Sequence, residues 1–122
     1  MTARPPKGSM PKADPETRAA FQELLPEDPA VTLRPMFGNL SAFVNGNMFA
    51  GVFGTDLFVR LPDDRRAAAI DQGATEFTPM PGRPMKGYVT LPRDWRDEPD
   101  RAIPWIEESL AWARALPPKT KR

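Results

Sequence analysis

Met36 to Leu61 reads M-F-G-N-L-S-A-F-V-N-G-N-M-F-A-G-V-F-G-T-D-L-F-V-R-L, and its punctuation decides the fold. Asn45-Gly46 is a strong hairpin signal, because both residues tolerate the positive φ of a type I′ turn. Gly54-Thr55-Asp56 marks a second reversal. These breaks predict three strands, Met36 to Val44, Asn47 to Phe53 and Leu57 to Leu61, and the short turns make them antiparallel neighbours. Leu40, Ala42 and Val44 alternate with Phe37, Ser41 and Phe43. Met48, Ala50 and Val52 alternate with Phe49, Gly51 and Phe53. Both faces carry apolar residues, so one should meet helices and the other a partner or later strands.

Upstream, Asp14-Pro15-Glu16-Thr17 has the form of a helix start, with Asp14 as cap and Pro15 in the first turn. Phe21, Leu24 and Leu25 form its apolar stripe. Downstream, a second helix is expected from Arg65 to Gln72, capped by Asp63 or Asp64 and stopped at Gly73. Glu76 to Met80 is a short extended piece. Met85 to Leu91 reads as a fifth strand, with Met85, Gly87, Val89 and Leu91 on one face and Lys86, Tyr88 and Thr90 on the other. A last helix should become regular near Pro104 and run to Leu116, its broad apolar face taking Trp105 and Trp112 into the core. Trp95 sits in a loop and is either part of an aromatic platform for bases or a peptide or a hinge that plugs the domain end. The order is α-β-β-β-α-β-β-α. It predicts an α+β fold of two layers, a five-stranded and mainly antiparallel sheet packed with helices. Residues 1–13 read as a flexible tail, 14–117 as one domain and 118–122 as a basic tail.

With 122 residues the chain has the size of one domain. It contains no Cys and no His, which excludes disulfides, thiolate nucleophiles, Ser-His-Asp catalysis and the usual zinc ligand sets. No metal and no cofactor is expected. The net charge of +1 gives no bulk attraction to a polyanion. No apolar run has the length of a membrane span, and the N-terminus lacks the apolar core of a signal peptide, so a cytoplasmic protein with no membrane partner is expected.

The candidate binding surface comes from Met80 to Tyr88, M-P-G-R-P-M-K-G-Y, a stiff segment that presents Arg83 and Lys86 at little entropic cost. Arg34, Arg60 and Tyr88 are grouped with it. The first expectation for these cations is pairing with carboxylates of the same domain; a bound anion or nucleic acid, and the surface of a partner protein, are the alternatives. Arg60 is the most telling, since its neighbours in L-F-V-R-L are apolar and a buried guanidinium needs an acceptor. Gly51 and Gly54 lie in a strand and a hairpin, so they serve close approach and turn geometry rather than a phosphate loop. The carboxylate pairs Asp63-Asp64, Asp97-Glu98 and Glu107-Glu108 point apart on helices and read as caps and solvated faces. No catalytic residue stands out.

Four stretches carry a resemblance: R-P-M-F-G-N from Arg34, F-V-N-G-N-M-F-A from Phe43, L-F-V-R-L from Leu57 and M-P-G-R-P-M-K-G-Y from Met80. With the end of the last helix they span roughly residues 16 to 119. They resemble the N-terminal domain of the TfoX family of bacterial competence regulators, in the form of its short stand-alone members. The resemblance implies a two-layer α-β₃-α-β₂-α fold like that of type III secretion chaperones. It also implies a link to competence or transcription regulation, although this chain ends before the helical second domain of the full-length regulators. It supplies no catalytic residues. The matching positions are Arg34, Gly38, Asn45, Gly46, Arg60, Gly82, Arg83, Lys86 and Gly87, and the resemblance implies that they build one loop-and-sheet surface; Phe37 belongs to the structural motif beside Gly38.

Three functions remain open on the sequence. The leading one is a non-enzymatic regulatory or adaptor domain that binds an unknown protein partner, with a homodimer as the simplest use of spare sheet surface. The second is nucleic-acid binding through the basic loop and tail. The third is a small enzyme using Lys or carboxylate chemistry, which would need a deep pocket beside Lys86 and Tyr88.

Overall fold

The computed structural model describes residues 12–36, 39–80 and 82–118. Helix α1 spans Pro15–Leu24. The Asp14 carboxylate accepts the Thr17 N–H at 2.7 Å, and this bond holds its pKa below the usual carboxylate value. Four strands follow: β1 Val31–Met36, β2 Asn39–Val44, β3 Asn47–Phe53 and β4 Asp56–Arg60. Then come α2 Asp63–Asp71, β5 Thr75–Glu76, β6 Tyr88–Thr90, a 3₁₀ turn Arg93–Arg96 and α3 Pro99–Ala115. The strands form one sheet in the order β1-β2-β3-β4-β6-β5, antiparallel throughout.

The α+β class and the helix-packed antiparallel sheet agree with the sequence reading, but there are six strands rather than five. The strand expected from Met36 to Val44 is β2, beginning at Asn39, and an unexpected strand, β1, precedes it from Val31, with Met36 paired to Asn39. Pro35 disguises β1. It has no N–H to donate, and it is tolerated because β1 is an edge strand. The fifth strand expected from Met85 shrinks to Tyr88–Thr90, because Gly87 at φ 93° turns the chain just before it.

The helices show three further departures. Pro62 rather than an Asp caps α2, and Asp63 pairs with Arg66 instead. Helix α3 starts at Pro99 and contains Pro104. That proline removes one backbone bond near the start of the helix, on its exposed side. Trp112 stays 36% exposed, whereas Trp105 and Trp95 are buried. Trp95 does close the domain end: its Nε1–H donates to the Thr55 carbonyl at 3.0 Å.

The sheet has two apolar faces. Leu40, Ala42, Val44, Val52, Leu57, Val59 and Val89 face inward, under Phe21 of α1 and Trp105, Ile106 and Leu110 of α3. Ser41, Phe43, Met48, Gly51, Phe58, Arg60 and Tyr88 alternate with them and face the other way. One end of this outer face has its own cover. Phe77 stacks on Phe58 at 4.2 Å, and Met85 joins them with Met48, Phe53 and Tyr88. The segment after β5 therefore folds over the sheet, and Met85 lies on the face opposite Val89 and Leu91 rather than with them.

A β-bulge sets the register of β3. Ala42 pairs with Ala50 but Phe43 pairs with Met48, so Phe49 is an extra residue. Phe49 consequently turns inward beside Ala50 and is fully buried, and Met48 turns outward, the reverse of simple alternation. The bulge leaves two backbone groups to be satisfied by a helix. The Ser109 hydroxyl of α3 accepts the Arg60 N–H at 3.1 Å and donates to the Phe49 carbonyl.

Candidate functional site

The outer face carries a continuous strip across the sheet. On β1 the Arg34 guanidinium lies over the Phe43 ring of β2 at 4.8 Å. Phe43 pairs with Met48 of β3, whose carbonyl accepts the Tyr88 hydroxyl of β6 at 2.9 Å. Arg60 of β4 pairs with Tyr88, and its guanidinium lies 5.8 Å from that ring. Arg34 is exposed, while Phe43, Met48 and Arg60 are half-buried. Alternation puts Arg34 and Arg60 outside, because Leu33 and Val59 beside them pack inward. The rings hold both cations in place.

The other candidate residues sit around this strip. Arg83 is exposed at the end of a turn closed by its own N–H on the Met80 carbonyl at 2.9 Å. Lys86 is exposed and lines a cleft of about 380 Å³ with Arg66, Ile70, Glu76 and Tyr88. Gly87 lies against Arg60: a Cβ there would stand 3.9 Å from Nε. Asn45 and Gly46, at φ 52° and 79°, form the β2–β3 turn, and Gly82 at φ 74° forms the turn before Arg83. Phe37 and Gly38 lie outside the described residues. The structure thus joins Arg34, Arg60 and Tyr88 through Phe43 and Met48, and leaves Arg83 and Lys86 on the flanking loop.

Pairing within the domain does not account for these cations. The ion pairs seen among the described residues join Arg65 to Glu108, Arg66 to Asp63, Arg93 to Asp56, Arg101 to Asp94 and Arg114 to Asp28. None engages Arg34, Arg60, Arg83 or Lys86. The sequence shows why: residues 29–55 and 77–93 contain no Asp and no Glu. Sequence reasoning listed the cations but missed Phe43 and Met48 as their neighbours. The alternation around Phe43 carried that signal; the bulge hid it for Met48.

A larger cleft of about 610 Å³ lies between α2, the 3₁₀ turn and α3, over Trp95 and Trp105. Its charges answer one another. Arg65 makes a two-pronged contact with Glu108 at 2.7 and 3.0 Å and lies 5.2 Å from the Trp105 ring, and Arg101 reaches Asp94 at 3.2 Å. It therefore offers a ligand little unmet electrostatic demand. Among the described residues no group of acidic side chains is placed to hold a metal ion.

Burial pushes the Tyr88 phenol above its ordinary value, with nearby Arg60 working against the shift. Tyr88 is the sole tyrosine, so absorbance at 295 nm reports it alone. The native midpoint should lie above 10 and fall to about 10 in urea. A raised folded pKa favours the neutral form, so this contribution to stability is complete below pH 10 and fades as pH rises through the folded value. Arg60→Gln should move the native midpoint further up. A native midpoint at 10 would mean a solvated phenol. With its proton committed to the Met48 carbonyl, Tyr88 is poorly suited to act as a base beside Lys86.

A family model described as the TfoX N-terminal domain matches residues 23–113. The chain belongs to this family. The matched span takes in the whole sheet and nearly all of α3, and with them every residue of the strip. Membership makes the TfoX N-terminal domain seen here a competence-related regulatory domain. Among curated proteins none matches the chain. Among the described residues no helix is long and apolar enough to cross a membrane.

Proposed function

We propose that this TfoX N-terminal domain is a non-enzymatic regulatory adaptor that binds another protein through the outer face of its sheet. The observation that carries the reading is the strip itself: two arginines with no carboxylate partner among the described residues, held on rings beside half-buried Phe43 and Met48. Oriented cations next to partly covered apolar groups suit a protein interface. A second copy is a poorer occupant of the edge, because Pro35 interrupts the donors that β1 would offer to another strand.

Nucleic acid is the second reading, favoured by the same unpaired cations. Its support in rings is weak: Phe58, Phe77 and Tyr88 are 3%, 5% and 8% exposed, and Arg34 lies over one side of the half-buried Phe43 ring, which leaves bases little to stack on among these residues.

Affinity capture from lysate of the source organism, with and without nuclease, separates the two. A protein recovered under both conditions, and lost with the Arg34→Gln/Arg60→Gln pair, is the expected result. Recovery of nucleic acid alone, sensitive to salt and to Arg83→Ala/Lys86→Ala, would replace it.

A further inference from the structure

Arg34 on β1 and Arg60 on β4 are three strand spacings apart and, because Arg34 lies in register with Ser41, Gly51 and Phe58, two residues apart along the strands, about 16 Å between backbones. Their guanidinium groups lean over Phe43 and Tyr88, with Met48 between those rings. An extended polypeptide advances about 3.3 Å per residue with alternate side chains on one side, so positions i and i+4 stand about 13 Å apart with i+2 midway. Taking the protein-binding reading as the basis, we propose that the outer face docks an extended acidic segment of the partner. Two carboxylates four residues apart sit on Arg34 and Arg60, and an apolar side chain between them covers Phe43 and Met48.

Four observations point to this occupant. A guanidinium presents a planar fork that matches a carboxylate, and both forks are already oriented by rings, so little side-chain freedom remains to be lost on docking. Among the described residues no carboxylate forms an ion pair with either arginine. Asp56, on the same strand as Arg60, lies four residues away, about 13 Å, and faces Arg93 at 3.7 Å. Residues 1–11 and 119–122 do not supply the acidic side chains, since they hold Arg4, Lys7, Lys119, Lys121 and Arg122 and no Asp or Glu. Phe43 and Met48 are only half covered, which leaves apolar surface for the middle side chain.

The probe is a fluorescein-labelled ten-residue peptide with Glu-Ser-Leu-Ser-Glu at its centre, flanked by Gly and Ser and read by anisotropy at low salt. Saturable binding is expected. Arg34→Gln and Arg60→Gln should each weaken it by about tenfold or more, and the corresponding Lys variants by less. Arg101→Gln removes the same charge from the helix layer and should change binding by less than about twofold. A peptide of equal charge with its glutamates adjacent should bind more weakly, and one with Gln in both places should not bind. Matching thermal melts exclude misfolding of the variants, and the Lys pair keeps the test open where a Gln variant fails to fold. Absent binding, equal binding of the two acidic peptides, or binding indifferent to both arginines overturns the proposal. So does a twenty-nucleotide oligo-dT that binds this face and displaces the peptide. A protein captured from lysate equally well by Arg34→Gln/Arg60→Gln would overturn the acidic segment while leaving the adaptor reading intact.

Discussion

Gly51→Ala is expected to lower the thermal midpoint by about 10 °C. A Cβ at this position would stand 2.6 Å from Phe58 Cζ and 2.9 Å from the Leu40 carbonyl oxygen, both closer than real contacts allow. Neither neighbour yields easily. Leu40 is part of the β2–β3 ladder opposite Val52, and the Phe58 ring is pinned by Phe77 at 4.2 Å and Tyr88 at 5.8 Å. Overpacking of this kind costs about 1–3 kcal/mol, and backbone on one side with a stacked ring on the other puts Gly51 at the upper end. For a domain of this size about 3 kcal/mol corresponds to the stated shift. Circular dichroism melts read it directly. Phe58→Leu in the Gly51→Ala background should recover part of the loss, because the two sites share one volume. A single-variant shift under about 2 °C would mean that the ring relocates freely and that the outer cluster is not tightly packed.

Ser109→Ala should cost a similar amount by a different route. The hydroxyl is fully buried and serves the Arg60 N–H and the Phe49 carbonyl together. Alanine removes both partners, and each stranded backbone group costs about 1–3 kcal/mol. A fall of about 10 °C is expected, where an ordinary surface substitution on α3 stays within a degree or two. A drop as small as that at Ser109 would mean that water fills the gap at the bulge.

The parts of the fold with local causes were readable in the sequence. Asn45-Gly46 places the central hairpin because only a few residues accept its dihedrals, and Asp14 marks α1 because its carboxylate satisfies a free N–H. The parts with distant causes were not. Pro35 hides β1, since a proline is tolerated in a strand only at an edge, and edges are decided by the whole sheet. The inward turn of Phe49 depends on a bulge that Ser109, sixty residues away, makes affordable in hydrogen bonds. The cover over Phe58 depends on Phe77 and Met85 returning across the sheet. For the candidate site, Arg34, Arg60 and Tyr88 were identified from their residue types and neighbours, and the acid-free stretches 29–55 and 77–93 were legible too, whereas the pairing of carboxylates such as Glu108 and Asp28 with Arg65 and Arg114 rests on contacts between distant elements.

That segregation of charge among the described residues gives the molecule an electric dipole across its two layers. Its net charge is +1, yet Arg34, Arg60, Arg83 and Lys86 belong to the sheet and its loop, while exposed Asp97, Glu98, Asp100 and Glu107 lie at or near the start of α3 in the other layer. A monopole draws a charged partner from afar; a dipole mainly turns it. At physiological ionic strength the field fades over about 8 Å. An acidic partner would therefore arrive by unassisted diffusion, and only within the last nanometre would the torque swing the sheet, rather than the helices, to meet it.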